Sequence, residues 1–265
     1  MTTSPNPQVH VHVEDGTGWI VLDNPGKYNA ISMPMWRAVS AALERFAADD
    51  TVRCVVLRGA GDKAFCSGAD ISQFESVRSA PESSAEYDRV TESVMQQVRE
   101  FPKPTLAMIA GFCLGGGVAL ALACDLRIAA VGARFGVPAA RLGIGYRYSA
   151  VKALTDLVGP AQAKQILYTG DRFPAEEALR IGFINELHAL EQLEPRVRGI
   201  AGTIARNAPL SVAYSKIAVA AAVAQAPGSD QEYLRQREKA CIESDDHKEG
   251  RRAFMEKREP VFRGR

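Results

Sequence analysis

The chain has 265 residues, 46% of them hydrophobic and 24% charged, enough to bury the core of one large domain or of a domain with an appended helical part. A formal net charge of +1 gives no reason to expect nucleic acid or an anionic membrane as the principal partner. No apolar run reaches membrane-spanning length, and residues 1–8, MTTSPNPQ, lack the charged-then-apolar order of a signal peptide and read as a flexible tail.

Residues 9–22 read as two strands around a Gly-containing turn, followed by the loop DNPGKYNAIS. PMWRAVSAALERFAADD has helical periodicity with a proline near its start, TVRCVVLRG is a buried strand, and AGDKAFCSGAD is a loop. A helix over residues 83–101 is stopped by Pro102 and Pro104. TLAMIAG is a strand, a glycine run opens a short apolar helix, and DLRIAAV is again a strand. This alternation predicts an α/β layout built on parallel crossovers. Beyond Pro138 the pattern is almost wholly helical, with stretches near 148–157, 161–168, 174–181, 191–206, 209–225 and 230–257. No internal repeat or linker is visible.

The five cysteines, Cys54, Cys66, Cys113, Cys124 and Cys241, show no metal-ligand spacing, and their scatter fits a reducing cytoplasm. His10 and His12 alternate on one side of a strand, which reads as a wet face rather than a metal site.

Two loops carry the chemistry: AFCSGADI (64–71) and GFCLGGG (111–117). Each follows a strand and has glycine where the backbone turns sharply or lets a ligand approach. Both emerge at the same end of neighbouring parallel strands, where α/β sheets place their sites. Two N–H groups converging from such loops form an oxyanion hole, which needs geometry and no particular side chain. Two tight loops with no further purpose are the plainer alternative. G-x-G-x-x-G spacing is absent after the first strand, and no glycine run is followed by Lys and Ser/Thr, so neither a dinucleotide fingerprint nor a P-loop is present.

NPGKYNAIS, AFCSGADI, IAGFCLGGGVALALACDLRIAA, FGVPAARLGIG, LVGPAQAKQILYTGDRFPAEEALRIGFIN and NAPLSVAYSK occur in the order of a known family. With these motifs the chain resembles the enoyl-CoA hydratase/isomerase (crotonase) family over nearly everything after residue 10. The resemblance implies a ββα spiral core over residues 9–200 and a helical C-terminal trimerisation region over 201–265, in a trimer or a dimer of trimers. It implies an acyl-CoA or enoyl-CoA thioester as partner, with no cofactor beyond its CoA moiety, no metal, no nucleic acid and no membrane. By position, the Ala69 and Gly116 N–H groups match the oxyanion hole. Lys27, Tyr28, Gly68, Asp70 and Ile71 match segments lining the CoA adenine and pantetheine. Phe254 and Lys257 match an aromatic and a cation that approach the CoA nucleotide, from the same or a neighbouring subunit. Lys248, Arg251, Arg252 and Arg258 make the same helix basic, although Asp245, Asp246, Glu249 and Glu256 balance it as a solvated face would.

The chain also departs from the family. Ala119 and Ala139 stand where hydratases carry the two glutamates that position water and move its proton. Tyr146 lies in GIGYRYSAV, where the family has a Gly- and Pro-rich stretch. A tyrosine there resembles one in the methylmalonyl-CoA decarboxylase branch, which however has a histidine in place of Ala69. Tyr146 either donates a hydrogen bond or proton to the chemistry or fills volume that the glutamates leave. Asp70 reads as loop support, Asp125 as a tie for backbone N–H groups, and Cys66 and Ser67 as nucleophiles only if a base stands near. The expectation is a cytoplasmic acyl-CoA enzyme that stabilises an enolate. A decarboxylating or C–C-cleaving relative using Tyr146, or a catalytically silent acyl-CoA binder, are the alternatives.

Overall fold

The structure is a computed structural model that describes residues 7–70, 81–224 and 228–265. It opens with a hairpin of β1 (Gln8–Glu14) and β2 (Thr17–Asp23), joined through Asp15 and Gly16 at φ 49° and 74°. Two consecutive left-handed residues match the twist of the flanking strands. β1 begins at Gln8, so the strand claims the end of the stretch read as a tail, whose residues 1–6 lie outside the described ones. His10 and His12 do share the wet face, with His10 against Asp23 at 2.7 Å and His12 stacked on Trp19.

After the hairpin comes α1 (Met33–Ala48), which places Met35, Trp36, Val39, Leu43 and Phe46 on one buried face at helical spacing. The strand–strand–helix order then recurs. β3 (Cys54–Gly59) and β4 (Ala64–Cys66) precede α2 (Pro81–Arg99); β5 (Thr105–Ile109) and β6 (Phe112–Leu114) precede α3 (Gly116–Ala123). β7 (Leu126–Ala130), β8 (Arg134–Gly136) and a 3-10 turn (Pro138–Leu142) precede α4 (Tyr148–Thr169). β9 (Arg172–Pro174), α5 (Ala175–Arg180) and β10 (Glu186–His188) follow. The five long strands and the short β10 form one six-stranded sheet, β1-β2-β3-β5-β7-β10, parallel from β2 onward. The other short strands form a second sheet, β4-β6-β8-β9, in which β9 alone is antiparallel. From β3 onward each pair of strands adds one to either sheet, a structural repeat that the sequence does not display.

The large sheet is covered on both faces. Val55, Leu57, Ala107, Ile109 and Ala129 face the core shared with α1 and α2, while Cys54, Val56, Leu106, Met108 and Ile128 face Leu193, Val197 and Ala201 of α6 (Leu190–Arg206). Burial on both sides is why TVRCVVLRG reads as a continuous apolar run.

The helical remainder consists of α7 (Pro209–Ala224), α8 (Gly228–Glu243) and α9 (Asp245–Glu256). The single helix expected over 230–257 is two, because the Ser244 hydroxyl accepts the His247 N–H at 3.0 Å and caps a new start. The break expected between 157 and 161 is present: Gly159 is non-helical, φ 76° and ψ 163°, and α4 is two helical segments meeting there at a kink before Pro160. Asp125 behaves as expected of a backbone tie: its carboxylate accepts the Thr105 N–H at 2.7 Å and the Lys216 ammonium at 2.9 Å, fastening α7 to the core. α7 is apolar in composition, yet none of its residues is buried. Among the described residues no single helix is long and apolar enough to cross a membrane.

Candidate functional site

The loops leaving β4 and β6 lie side by side because those strands are parallel neighbours. Gly117 lets them close, since a Cβ there would come within 2.2 Å of the Cys66 carbonyl oxygen. Ala69 pairs with Ile31: the Ile31 N–H donates to the Gly68 carbonyl at 2.8 Å and the Asp70 N–H to the Ile31 carbonyl at 3.1 Å. That ladder uses the groups flanking Ala69 and turns the Ala69 N–H to the other side. Gly116 is the first residue of α3, where an N–H has no intrahelical acceptor. A Cβ built on Gly116 would lie 3.6 Å from the Ala69 nitrogen, so the two amides stand together. Among the described residues no hydrogen bond uses either N–H.

Both residues line a cavity of about 420 Å³. One part of its wall is apolar, made by Trp36, Met95, Ala119, Ile144 and Ala150. The other part was not found from the sequence: Asp88, Glu92 and Arg99 of α2 meet Arg147 and Ser149 in one polar stretch of the wall. Arg99 donates to Glu92 at 2.9 Å, Ser149 to the other Glu92 oxygen at 3.0 Å, and Arg147 to the Asp88 carboxylate at 2.5 Å and its main-chain carbonyl at 2.7 Å. A signal did exist. Positions 88, 92, 95 and 99 recur at helical spacing, so a stripe carrying both signs of charge shares one helix face with Met95.

Tyr146 reaches the same cavity, and its hydroxyl donates to the Gly115 carbonyl at 2.9 Å. Burial of that hydroxyl end holds the phenol well above its ordinary value. Ala119 stands in the wall, whereas Ala139 is buried in the 3-10 turn. Neither carries a titratable group.

The remaining candidates occupy two further places. Lys27 donates to both Asp70 oxygens at 3.0 and 2.8 Å, tying the loop before α1 to the residue after Ala69. Tyr28 is left-handed, φ 51°, and half exposed, with its ring edge-on to Phe112. Ile71 lies outside the described residues. Phe254 and Lys257 sit exposed at the end of α9 and line no part of the cavity; Phe254 borders a separate hollow of about 500 Å³ with Ile242 and Phe262. Burial pushes the Cys66 thiol up to about 12, and its contacts are with the Gly68 backbone. The Ser67 hydroxyl donates to the Lys27 carbonyl at 2.9 Å. Among the described residues neither has a base beside it.

The family model for enoyl-CoA hydratase/isomerase matches residues 12–265. The crotonyl-CoA hydratase of Syntrophomonas wolfei is 36% identical, over 94% of this chain and 95% of that protein. The carnitinyl-CoA dehydratase of Salmonella enteritidis is 33% identical, over 93% of this chain and 94% of that protein. Among solved structures, an enoyl-CoA hydratase/carnithine racemase from Magnetospirillum magneticum superposes with a TM-score of 0.92 at 34% identity, covering 97% of this chain and 96% of that one. The strand–strand–helix spiral and the whole-length match agree: the chain is a crotonase-fold member of the enoyl-CoA hydratase/isomerase family.

Proposed function

We propose that the protein is an acyl-CoA enzyme, a lyase or isomerase, that polarises a thioester carbonyl between the Ala69 and Gly116 N–H groups and stabilises the resulting enolate. The observation that carries this reading is the pair of adjacent, unspent amides in one cavity wall. Donors fixed in advance at the point where negative charge develops lower the barrier without reorganising. The acyl chain runs along Trp36, Met95 and Ile144, and the CoA moiety, the only cofactor, leaves past Lys27, Tyr28, Gly68 and Asp70. Phe254 and Lys257 are supplied by a neighbouring protomer of a trimer or dimer of trimers. Their distance from the cavity in their own chain and the uncovered apolar α7 support that arrangement. Five free cysteines fit residence in the cytoplasm.

Ala119 favours a second reading, decarboxylation or C–C cleavage, because departure of a group generates the enolate with no carboxylate from that wall. Calorimetric titration with CoA and acyl-CoAs, followed by turnover of an acyl-CoA panel at high protein concentration, tests the assignment. Binding with turnover is expected. Absence of binding sinks the reading, and binding without turnover identifies a silent acyl-CoA binder.

A further inference from the structure

We propose that Arg99 and Arg147 form a subsite for an oxygen acceptor on the acyl group, beyond the thioester. The substrate is then a carboxylated or hydroxylated acyl thioester rather than a plain alkyl one. This rests on the acyl-CoA reading given above.

The first support is placement. Arg99 comes from α2 and Arg147 from the segment before α4, and both line the cavity that holds the Ala69 and Gly116 amides. Their side chains are about a third exposed, 31% and 35%, so they are reachable from the cavity.

The second support is the count of donors. A guanidinium carries five N–H donors in a fixed fork. Arg99 spends one on Glu92, and Arg147 spends its bonds on the Asp88 carboxylate and carbonyl. Each Glu92 oxygen accepts one bond, one from Arg99 and the other from the Ser149 hydroxyl, and Arg147 stands 3.7 Å from the second. The carboxylates therefore hold the two forks in place, while most N–H groups of Arg99 and Arg147 meet no acceptor among the described residues. Two cations facing two anions leave the quartet neutral, so recognition is directional and rests on hydrogen bonds.

An alkyl chain laid against this wall would displace water from those N–H groups and return nothing. Leaving such donors unmet costs roughly tenfold to a hundredfold in affinity, and a charge-assisted bond to a substrate oxygen recovers a similar factor. A carboxylate would engage a fork through two parallel bonds, and a hydroxyl through one. The alternative is a solvated ion-pair network at the cavity rim that reads nothing, in which case polar and alkyl chains bind alike.

Matched saturated thioesters separate the two without any turnover. Calorimetric affinities are compared for butyryl- with succinyl-CoA, hexanoyl- with adipyl-CoA, and butyryl- with 3-hydroxybutyryl-CoA, with CoA alone as reference. The proteins are wild type, Arg99→Met, Arg147→Met and the charge-keeping Arg99→Lys, each checked for folding by its melting curve. At least one polar member should bind tenfold or more tightly than its alkyl match. That gain should vanish in a Met variant and fall in Arg99→Lys, with affinity for CoA alone unchanged. A gain with the diacids identifies a carboxylate, and a gain with the hydroxyacyl compound a hydroxyl. Equal or tighter alkyl binding in every pair, or a polar gain that survives both Met variants, overturns the subsite while leaving acyl-CoA binding intact. Failure of CoA and every thioester to bind removes the underlying reading and the subsite with it.

Discussion

The Tyr146 hydroxyl donates to the carbonyl of Gly115 at 2.9 Å, and that carbonyl belongs to the same peptide unit as the Gly116 N–H. In a trans peptide the two groups point in opposite directions, so a hydrogen bond at the oxygen aims and polarises the N–H on the far side. Tyr146 is thereby a positioning residue for the carbonyl-polarising role proposed for Gly116, and its proton is already committed.

Tyr146→Phe keeps the ring and removes that bond. Turnover should fall by about tenfold, the worth of one ordinary hydrogen bond, with CoA affinity unchanged by calorimetry. A loss of about 10²–10⁴ accompanied by a new pH dependence would show instead that the phenol transfers a proton to substrate.

Gly116→Pro deletes one amide donor at the first turn of a helix, where proline is best tolerated. With the fold confirmed by circular dichroism and a melting curve, turnover should fall by about 10²–10³. Undiminished turnover in a folded variant would dismiss the amide from the chemistry.

Crotonyl-CoA should be hydrated slowly by the wild-type protein, since neither Ala119 nor Ala139 can activate water. Ala119→Glu combined with Ala139→Glu should raise the rate, a positioned acid or base being worth roughly 10²–10⁴. The two glutamates would act as a unit, so their contributions need not multiply. Fast hydration by the unaltered protein would point to another proton-handling group on the cavity wall.

The buried thiols make stability sensitive to alkali. Burial raises Cys66 and Cys124 to about 12 and Cys54 to about 11, from an ordinary 9.0. Above the ordinary value the unfolded chain releases protons that the native state retains, so unfolding becomes easier as pH rises. This contribution is fully present below about pH 9 and is lost progressively from pH 9 toward 12. Urea midpoints measured between pH 8 and 10.5 should decline, and a thiol reagent at pH 8 should label Cys241 well before the other four. Rapid labelling of all five in the native state would contradict this burial.

The sequence announced the large sheet because five of its strands are long or wholly apolar, and Val55, Val56 and Leu57 leave no room for a helix face. The small sheet was hidden, since three-residue strands such as Ala64–Cys66 have no period to detect. The loops of Ala69 and Gly116 were legible through their glycines, which mark close backbone approach, whereas the two positions themselves came from the family resemblance. Arg99, Glu92 and Arg147 were not, because charges on α2 look like any solvated face until α4 is placed opposite. The end of α8 was missed for a local reason: Ser244 caps a new helix without a proline or glycine to mark the break.

Gly117 sets how this molecule can diversify. With its Cα pressed so near the Cys66 carbonyl that a methyl would intrude to 2.2 Å, the two loops that carry Ala69 and Gly116 are joined by a main-chain contact with no side chain to exchange. In a saturation library, position 117 should accept almost nothing, while Ala69, whose proposed part is its amide alone, should accept several side chains. New substrate preferences are therefore reached by replacing residues of α2 and of the 144–149 segment, leaving the backbone junction as a fixed chassis beneath interchangeable walls.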